Sequence, residues 1–207
     1  MVSEILSKRI LRSFGLIPAF KGNALENVFS AYFTTLFRGF MNIFVLDENP
    51  FAIPRMMLDK HAVKMVLETA QMLCTAHRVL DSIDDINGTP LYKAAHVNHP
   101  CSIWARESIY NYRWLYNHFM ALCTEYTHRY KKSHLCATKL LVALRNPPIN
   151  IPIIPRTPFA LAMPDYCKSN CAITSYRTYY CKEKSSLPQK WTNRTPPAWY
   201  SPAVQTI

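Results

Sequence analysis

Between Pro54 and about Leu80 the apolar residues fall at helical spacing. Ala62, Met65, Val66, Thr69, Ala70 and Leu73 recur at steps of one, three and four residues and predict one buried helix face. Pro54 suits the first turn, where the amide hydrogen that proline lacks would be unpaired anyway. The other side reads His61, Lys64, Glu68, Gln71, Thr75 and Arg78, a polar stripe of the same period. A second helical pattern runs from Pro100 to about Tyr130. Trp104, Ser108, Tyr112, Leu115, Phe119, Leu122 and Tyr126 follow one face of it, and Arg106, Tyr110, Arg113 and Asn117 follow another. The stretch 81–90 (DSIDDINGTP) is a turn-rich loop between the two. Shorter helices are expected over His134–Leu144 and Asn170–Lys184. Six prolines from Pro147 to Pro164 require an extended crossing. The tail, with Trp191, Pro196, Pro197 and Trp199, is irregular but aromatic enough to pack back. The expectation is therefore a mainly α, compact domain of about four helices with long Pro-rich irregular segments.

Residues 1–40 read differently. They hold Lys8, Arg9, Arg12, Lys21 and Arg38 against only Glu4 and Glu26, and they are rich in phenylalanine. Such a basic, acid-poor segment suits a targeting peptide, a membrane-surface helix, or an extension upstream of a start at Met41, where MNIFVLDENP opens a domain cleanly. The last is preferred, which gives an extension over 1–40 and a single helical nucleic-acid-binding domain over 41–207.

Charge narrows the partner. The formal net charge is +11, from 24 Lys and Arg against 13 Asp and Glu, an excess that a globule does not need for solubility and that points to an anionic partner. Hydrophobic residues at 49% and charged residues at 18% exclude a disordered chain. Seven scattered cysteines argue against a secreted disulfide framework and for reduced thiols in an intracellular setting, in the cytoplasm of a host or infected cell. Four glycines in the whole chain, without a Gly-rich phosphate loop, make a dinucleotide fold a poor fit.

Glu68 is the carboxylate of most interest. Lys64 stands one turn before it, Gln71 nearly one turn after it, and His61 two turns before it. A carboxylate held among basic and amide groups on a partly buried face can act as a base or as an electrostatic stabiliser. Ordinary pairing on a solvated helix face is the plainer alternative. His96, His99 and Cys101 cluster just before the second long helix. With Cys167, Cys171 and Cys181 they match no standard zinc spacing, so neither a metal nor a cofactor is expected, and His99 either braces its helix or donates to phosphate. Arg106 and Arg113 beside Tyr110 and Trp114 form a basic-aromatic strip, repeated in kind by Arg177 with Tyr176, Tyr179 and Tyr180. Cations of this type neutralise phosphates, and the rings stack on exposed bases.

These residues carry a resemblance. Met41-Asn42-Ile43, then Asp59-Lys60-His61, then Glu68 seven residues beyond the histidine, is similar to the opening of the phage endonuclease V family of pyrimidine-dimer DNA glycosylases. The stretch from His96 to Pro100 leading into a long aromatic helix that ends in Glu125 and Arg129, and the late Pro197-Ala198-Trp199-Tyr200, resemble later parts of the same family. Uncharacterised phage proteins open on a similar Asp-Lys-His helix. The resemblance implies base excision: an α-amine attacks the sugar C1′, a Schiff base forms, the base leaves, and β-elimination nicks the strand. Glu68 would take the glutamate role with His61 as helper, and the amine would be that of Asn42. There the chain departs from the family, because asparagine is a poor residue for removal of a preceding methionine. Lys60 or Lys64 would be the substitute amine.

The function expected is a viral or phage-like DNA repair or DNA-processing enzyme of glycosylase/AP-lyase type, acting on duplex DNA with an extruded base. The candidate catalytic residues are Glu68, His61, Lys64 and Asn42. The candidate DNA contacts are Lys60, His99, Arg106, Tyr110, Arg113 and Arg177. A non-catalytic basic nucleic-acid-binding protein and a viral nucleotide-binding protein are the alternatives.

Overall fold

The computed structural model describes residues 41–201, so the expected 1–40 extension lies outside the described residues. Among the described residues there are six α-helices: α1 (Ile53–Met56), α2 (Asp59–Leu80), α3 (Pro100–Glu107), α4 (Ile109–Tyr130), α5 (Leu135–Leu140) and α6 (Ala172–Glu183). Two short 3-10 turns, Ala143–Arg145 and Asp165–Cys167, lie between α5 and α6. The loop after α2 closes on a two-residue antiparallel ladder, β1 (Asp85–Ile86) with β2 (Thr89–Pro90), in which Asp85 faces Pro90 across the Asn87-Gly88 turn. Both turn residues have positive φ, 50° and 77°, the geometry that Asn-Gly supplies at least cost.

The core lies where α2 and α4 pack along each other, with α3 laid across both. Trp104, Tyr112, Phe119, Tyr176 and Tyr180 are its largest fully buried side chains. Residues 41–46 run through this core without helix or strand, and all six are buried. The Pro-rich stretch crosses without helix or strand, as expected. The tail packs back: Trp191 donates its indole N–H to the Met56 carbonyl at 3.0 Å, and Trp199 and Tyr200 meet Tyr180 edge-on, each with ring centroids 6.2 Å away.

Two helices expected to be continuous are broken. The first breaks at Met57 and Leu58, both extended, because distant groups take up the local backbone. Arg129 Nη1 donates to the Met57 carbonyl at 2.9 Å, its Nη2 donates to that of Pro54 at 3.0 Å, and Tyr180 Oη accepts the Leu58 N–H at 2.8 Å. The second breaks at Ser108, with φ −147° and ψ 143°. Ser108 Oγ accepts the Tyr110 N–H at 3.1 Å, making it an N-cap, and donates to the Ile154 carbonyl at 2.5 Å. The Ile109 N–H reaches the Pro152 carbonyl at 2.9 Å, so the Pro-rich crossing is docked at the break. The third helix is shorter than expected: α5 stops at Leu140, and the rest of the expected span is turn and 3-10.

Candidate active site

Helix α2 is not amphipathic in the expected sense. The apolar face is buried as the spacing predicts, but His61, Glu68 and Thr75 of the polar stripe are buried too, while Val63, Leu67 and Val79 face outward. Burying polar groups and exposing valine and leucine costs stability, so something else fixes which way these residues face. The answer lies in the segment 41–46.

Glu68 is 7% exposed and touches that segment directly. Its Oε2 accepts the backbone N–H of Asn42 at 3.3 Å, and its Oε1 meets Lys64 Nζ at 2.7 Å. Burial raises the pKa of Glu68. Lys64 and the Asn42 N–H oppose that rise without cancelling it. Asn42 is itself held on three sides. Its Nδ2 donates to the Ala162 carbonyl at 2.8 Å, and its Oδ1 accepts the N–H groups of Ile43 at 2.8 Å and Phe44 at 2.9 Å. This side-chain turn lets Phe44 adopt φ 49°, an uncommon value for a bulky residue. Met41 is buried beside the same place, its sulfur accepting Ser102 Oγ–H at 3.2 Å.

His61 lies two turns before Glu68 in a ring cluster. Phe44 stacks on it at 4.5 Å between centroids, and its Nδ1 is 2.7 Å from Tyr180 Oη. Tyr180 Oη also accepts the Leu58 N–H, so the one hydroxyl joins His61 to the start of α2. Burial, with the nearby charges of Lys184, Lys64 and Lys60, pushes His61 down to about 3, so it is neutral at physiological pH. Lys184 is buried beside this cluster, its Nζ 2.9 Å from Tyr179 Oη, and Tyr179 stacks on Phe44 at 6.0 Å. The sequence marks Lys184 only as one of several cations near the C-terminus, with Lys182, Lys190 and Arg194, and not as a neighbour of His61. The available signal was its place one turn after Tyr180 at the end of α6.

The structure thus brings Asn42, His61, Lys64 and Glu68 together. It disperses the expected DNA contacts. Lys60 is exposed on α2. His99 caps α3, its Nδ1 accepting the Cys101 N–H at 3.2 Å. Arg106 turns onto its own helix end, where Nη1 donates to the carbonyls of Val97 at 2.8 Å and Ser102 at 2.9 Å. Arg177 ties the N-terminal segment, donating to the Leu46 carbonyl at 2.9 Å and lying over the Trp199 ring at 5.1 Å. Tyr110 and Arg113 remain exposed together, with the guanidinium 5.9 Å from the ring centroid. Among the described residues no group of three or more His, Cys, Asp or Glu is placed to hold a metal ion. No helix among them is long and apolar enough to cross a membrane.

Glu125 and Arg129 of α4 belong to a different cluster. Arg129 is buried, and all five of its N–H groups have acceptors: Glu125 at 2.7 Å, Asp59 and Met57 at 2.9 Å, Pro54 at 3.0 Å and Arg55 at 3.4 Å. Arg194 from the tail binds Glu125 through Nε at 3.0 Å and Nη2 at 2.8 Å. Thr192 donates to Asp59 from its backbone N–H at 2.8 Å and from its hydroxyl at 2.7 Å. The Asp of the Asp-Lys-His motif therefore locks the tail and α4 onto the start of α2, while the His and the later Glu face the segment 41–46.

Residues 41–138 match the pyrimidine dimer DNA glycosylase family. The matched stretch is just under half of the chain, and it contains Asn42, Phe44, His61, Lys64 and Glu68, while Ala162, Tyr179, Tyr180 and Lys184 lie beyond it. The resemblance read from Met41-Asn42-Ile43, Asp59-Lys60-His61 and Glu68 falls inside the glycosylase match, as do Glu125 and Arg129. The late Pro197-Ala198-Trp199-Tyr200 falls outside it. No curated protein and no solved structure matches the chain.

Proposed function

We propose that this chain is a DNA glycosylase with AP-lyase chemistry acting on damaged or modified bases, with its reacting centre where Glu68 meets the nitrogen of Asn42. The observation that carries the reading is that contact: a buried carboxylate oxygen 3.3 Å from the backbone nitrogen of the second residue of the matched stretch. In a chain whose first residue is Asn42, that nitrogen is an α-amine with an ordinary pKa of about 8, close enough to neutrality for the free base to be populated. The amine attacks C1′, and the bond from C1′ to the base breaks. The base leaves with the electron pair and takes up a proton, and the sugar ring opens to a protonated imine. Loss of a C2′ proton then expels the 3′ phosphate. Glu68 is placed to accept the proton that the amine sheds and to stabilise the cationic sugar. Lys64 Nζ is 2.7 Å from the same carboxylate, so it is the other amine that Glu68 can serve. Neutral His61, held by Tyr180, steadies Phe44 beneath Asn42. A DNA-acting enzyme of this kind belongs inside the cell or infected cell.

A second reading, a nucleic-acid-binding protein without chemistry, is favoured by one observation. None of the three described surface concavities is lined by Glu68, and Met41 fills the space beside it. Borohydride trapping on abasic and ultraviolet-damaged duplexes separates the two. Glycosylase/lyase action gives a covalent adduct, lost in Glu68→Gln, whose attachment point is mapped by mass spectrometry to Asn42 or Lys64. No adduct with any lesion, at unchanged DNA affinity, leaves the binding protein.

A further inference from the structure

The expected basic-aromatic strip is rearranged into a groove. Tyr110, Arg113, Trp114 and Asn117 of α4 form one wall and the floor, and Pro155 and Arg156 of the Pro-rich crossing form the other wall. Arg106, the expected member, is absent from it. Arg156, which lies in a stretch read only as a crossing, takes its place. The groove is about 600 Å³ and is lined by two guanidinium groups and no carboxylate.

Each part has a stated condition. Tyr110 is 50% exposed, with no buried partner for its ring face beyond the Arg113 guanidinium. Trp114 is buried and fixed, its indole N–H donated to the Glu48 carbonyl at 3.0 Å and its ring edge-on to Trp104 at 5.8 Å. Arg156 lies over Phe159 at 4.7 Å and pairs with exposed Glu48 at 3.0 Å. A surface pair of that kind is worth little and yields to a phosphate. The crossing is itself anchored, since Asn111 Oδ1 accepts the Thr157 N–H at 3.0 Å and Ser108 holds Ile154. The wall carrying Arg156 is therefore preformed.

We propose that this groove holds a single-stranded stretch of DNA, with phosphates on Arg113 and Arg156 and a base stacked on Tyr110. Charge complementarity selects the polyanion. The exposed ring selects an unpaired strand, because only an unstacked base presents its face to a tyrosine. Asn117 adds a donor and an acceptor for a base edge. The proposal rests on the reading of the chain as a DNA-acting protein, but not on chemistry at Glu68. It gives the protein a second hold on DNA, apart from Glu68.

The test is the affinity of the full chain for a fluorescent oligothymidylate of about twelve nucleotides, measured by anisotropy across a salt series. Arg113→Ala and Arg156→Ala should each weaken binding severalfold and lower the slope of log K against log salt by about 0.7, the single-strand value for one phosphate. Tyr110→Ala should weaken binding about tenfold without changing the slope, and Tyr110→Phe should restore it. All three residues are exposed, so the variants should keep the urea midpoint of the parent. Unchanged affinity in all three variants, or competition by free thymidine monophosphate, would overturn the strand groove. A parent chain that gives no adduct with any lesion but keeps these groove effects fails as a glycosylase alone; a parent that is trapped while all three groove variants bind unchanged fails at the groove alone.

Discussion

Glu68 of α2 and Glu125 of α4 are buried to a similar degree, 7% and 3% exposed, and their acidities move in opposite directions. Burial raises both. At Glu125 the hydrogen bonds and charges of Arg194 and Arg129 outweigh it, and the net shift is downward. At Glu68 one partly exposed lysine and one backbone N–H do not outweigh it, and the net shift is upward. The first cluster is matched: Asp59 and Glu125 face Arg129 and Arg194, and every donor of Arg129 is used. The second holds a carboxylate short of partners beside a neutral imidazole. A matched cluster holds the fold together. A mismatched one retains electrostatic free energy that a substrate's developing positive charge can release, which is why perturbed acids gather at reacting centres.

The largest test of this contrast is Arg129→Met. It takes one donor from buried Glu125 and one from half-buried Asp59, and leaves the carbonyls of Pro54, Arg55 and Met57 without theirs. Removing one partner from a buried pair costs about 3–5 kcal/mol. At roughly 2–4 °C per kcal/mol for a chain of this size, the melting temperature should fall by about 6–20 °C in calorimetry. A fall of under about 2 °C would show that the matched cluster is decoration, and the comparison would lose its structural arm.

The next effect belongs to His61. Its folded pKa, about 3, lies below the ordinary histidine value of about 6.5. Unfolding therefore takes up a proton between those limits. Stability from this group is fully present above about pH 6.5 and declines by about 1.4 kcal/mol per pH unit as pH falls toward 3. His118, buried and pushed down to about 4, and His77, also lowered by burial, add to the same decline. Urea midpoints from pH 7 to 4 should show a slope one proton shallower in His61→Asn, which keeps an acceptor for Tyr180 near the Nδ1 position. Identical slopes would mean that His61 is not held neutral.

How far the chain could be read before the structure differs by element. The helices of α2, α4 and α6 followed from apolar spacing because period is a local property. The breaks at Leu58 and Ser108 did not, because their partners are Arg129, Tyr180 and Ile154, between 46 and 122 residues away. Glu68 was legible as a polar residue in a basic stripe. That the stripe faces inward was not, since Val63 and Leu67 sit outside for reasons set by Asn42 and Phe44. His99 and Arg106 looked like ligand-binding residues by type, yet both are spent on helix ends. Arg156 escaped notice because a cation beside prolines has no periodic signature, and Lys184 was legible only as charge near the C-terminus because its partners Tyr179 and His61 are set by packing.

The smallest effect is the most discriminating. The folded pKa of Glu68 is raised, so its favourable contribution is present below the ordinary carboxylate value and is lost as pH rises through the folded one. At pH 7 the ionised form is a net cost that glutamine does not incur. Glu68→Gln should therefore unfold at higher urea at pH 7, a gain of about 1 kcal/mol, typical of relieving a functional site. The gain should shrink toward pH 4, where parent and variant are both neutral at this position. Glu125→Gln should behave in mirror image: its folded pKa is lowered, so the variant should be less stable at pH 7 and approach the parent as pH falls through that value. Opposite signs at pH 7 for two equally buried glutamates would separate the reacting centre from the clasp on thermodynamic grounds alone, with no substrate in the tube. The same sign for both would place Glu68 among the residues that merely hold the fold.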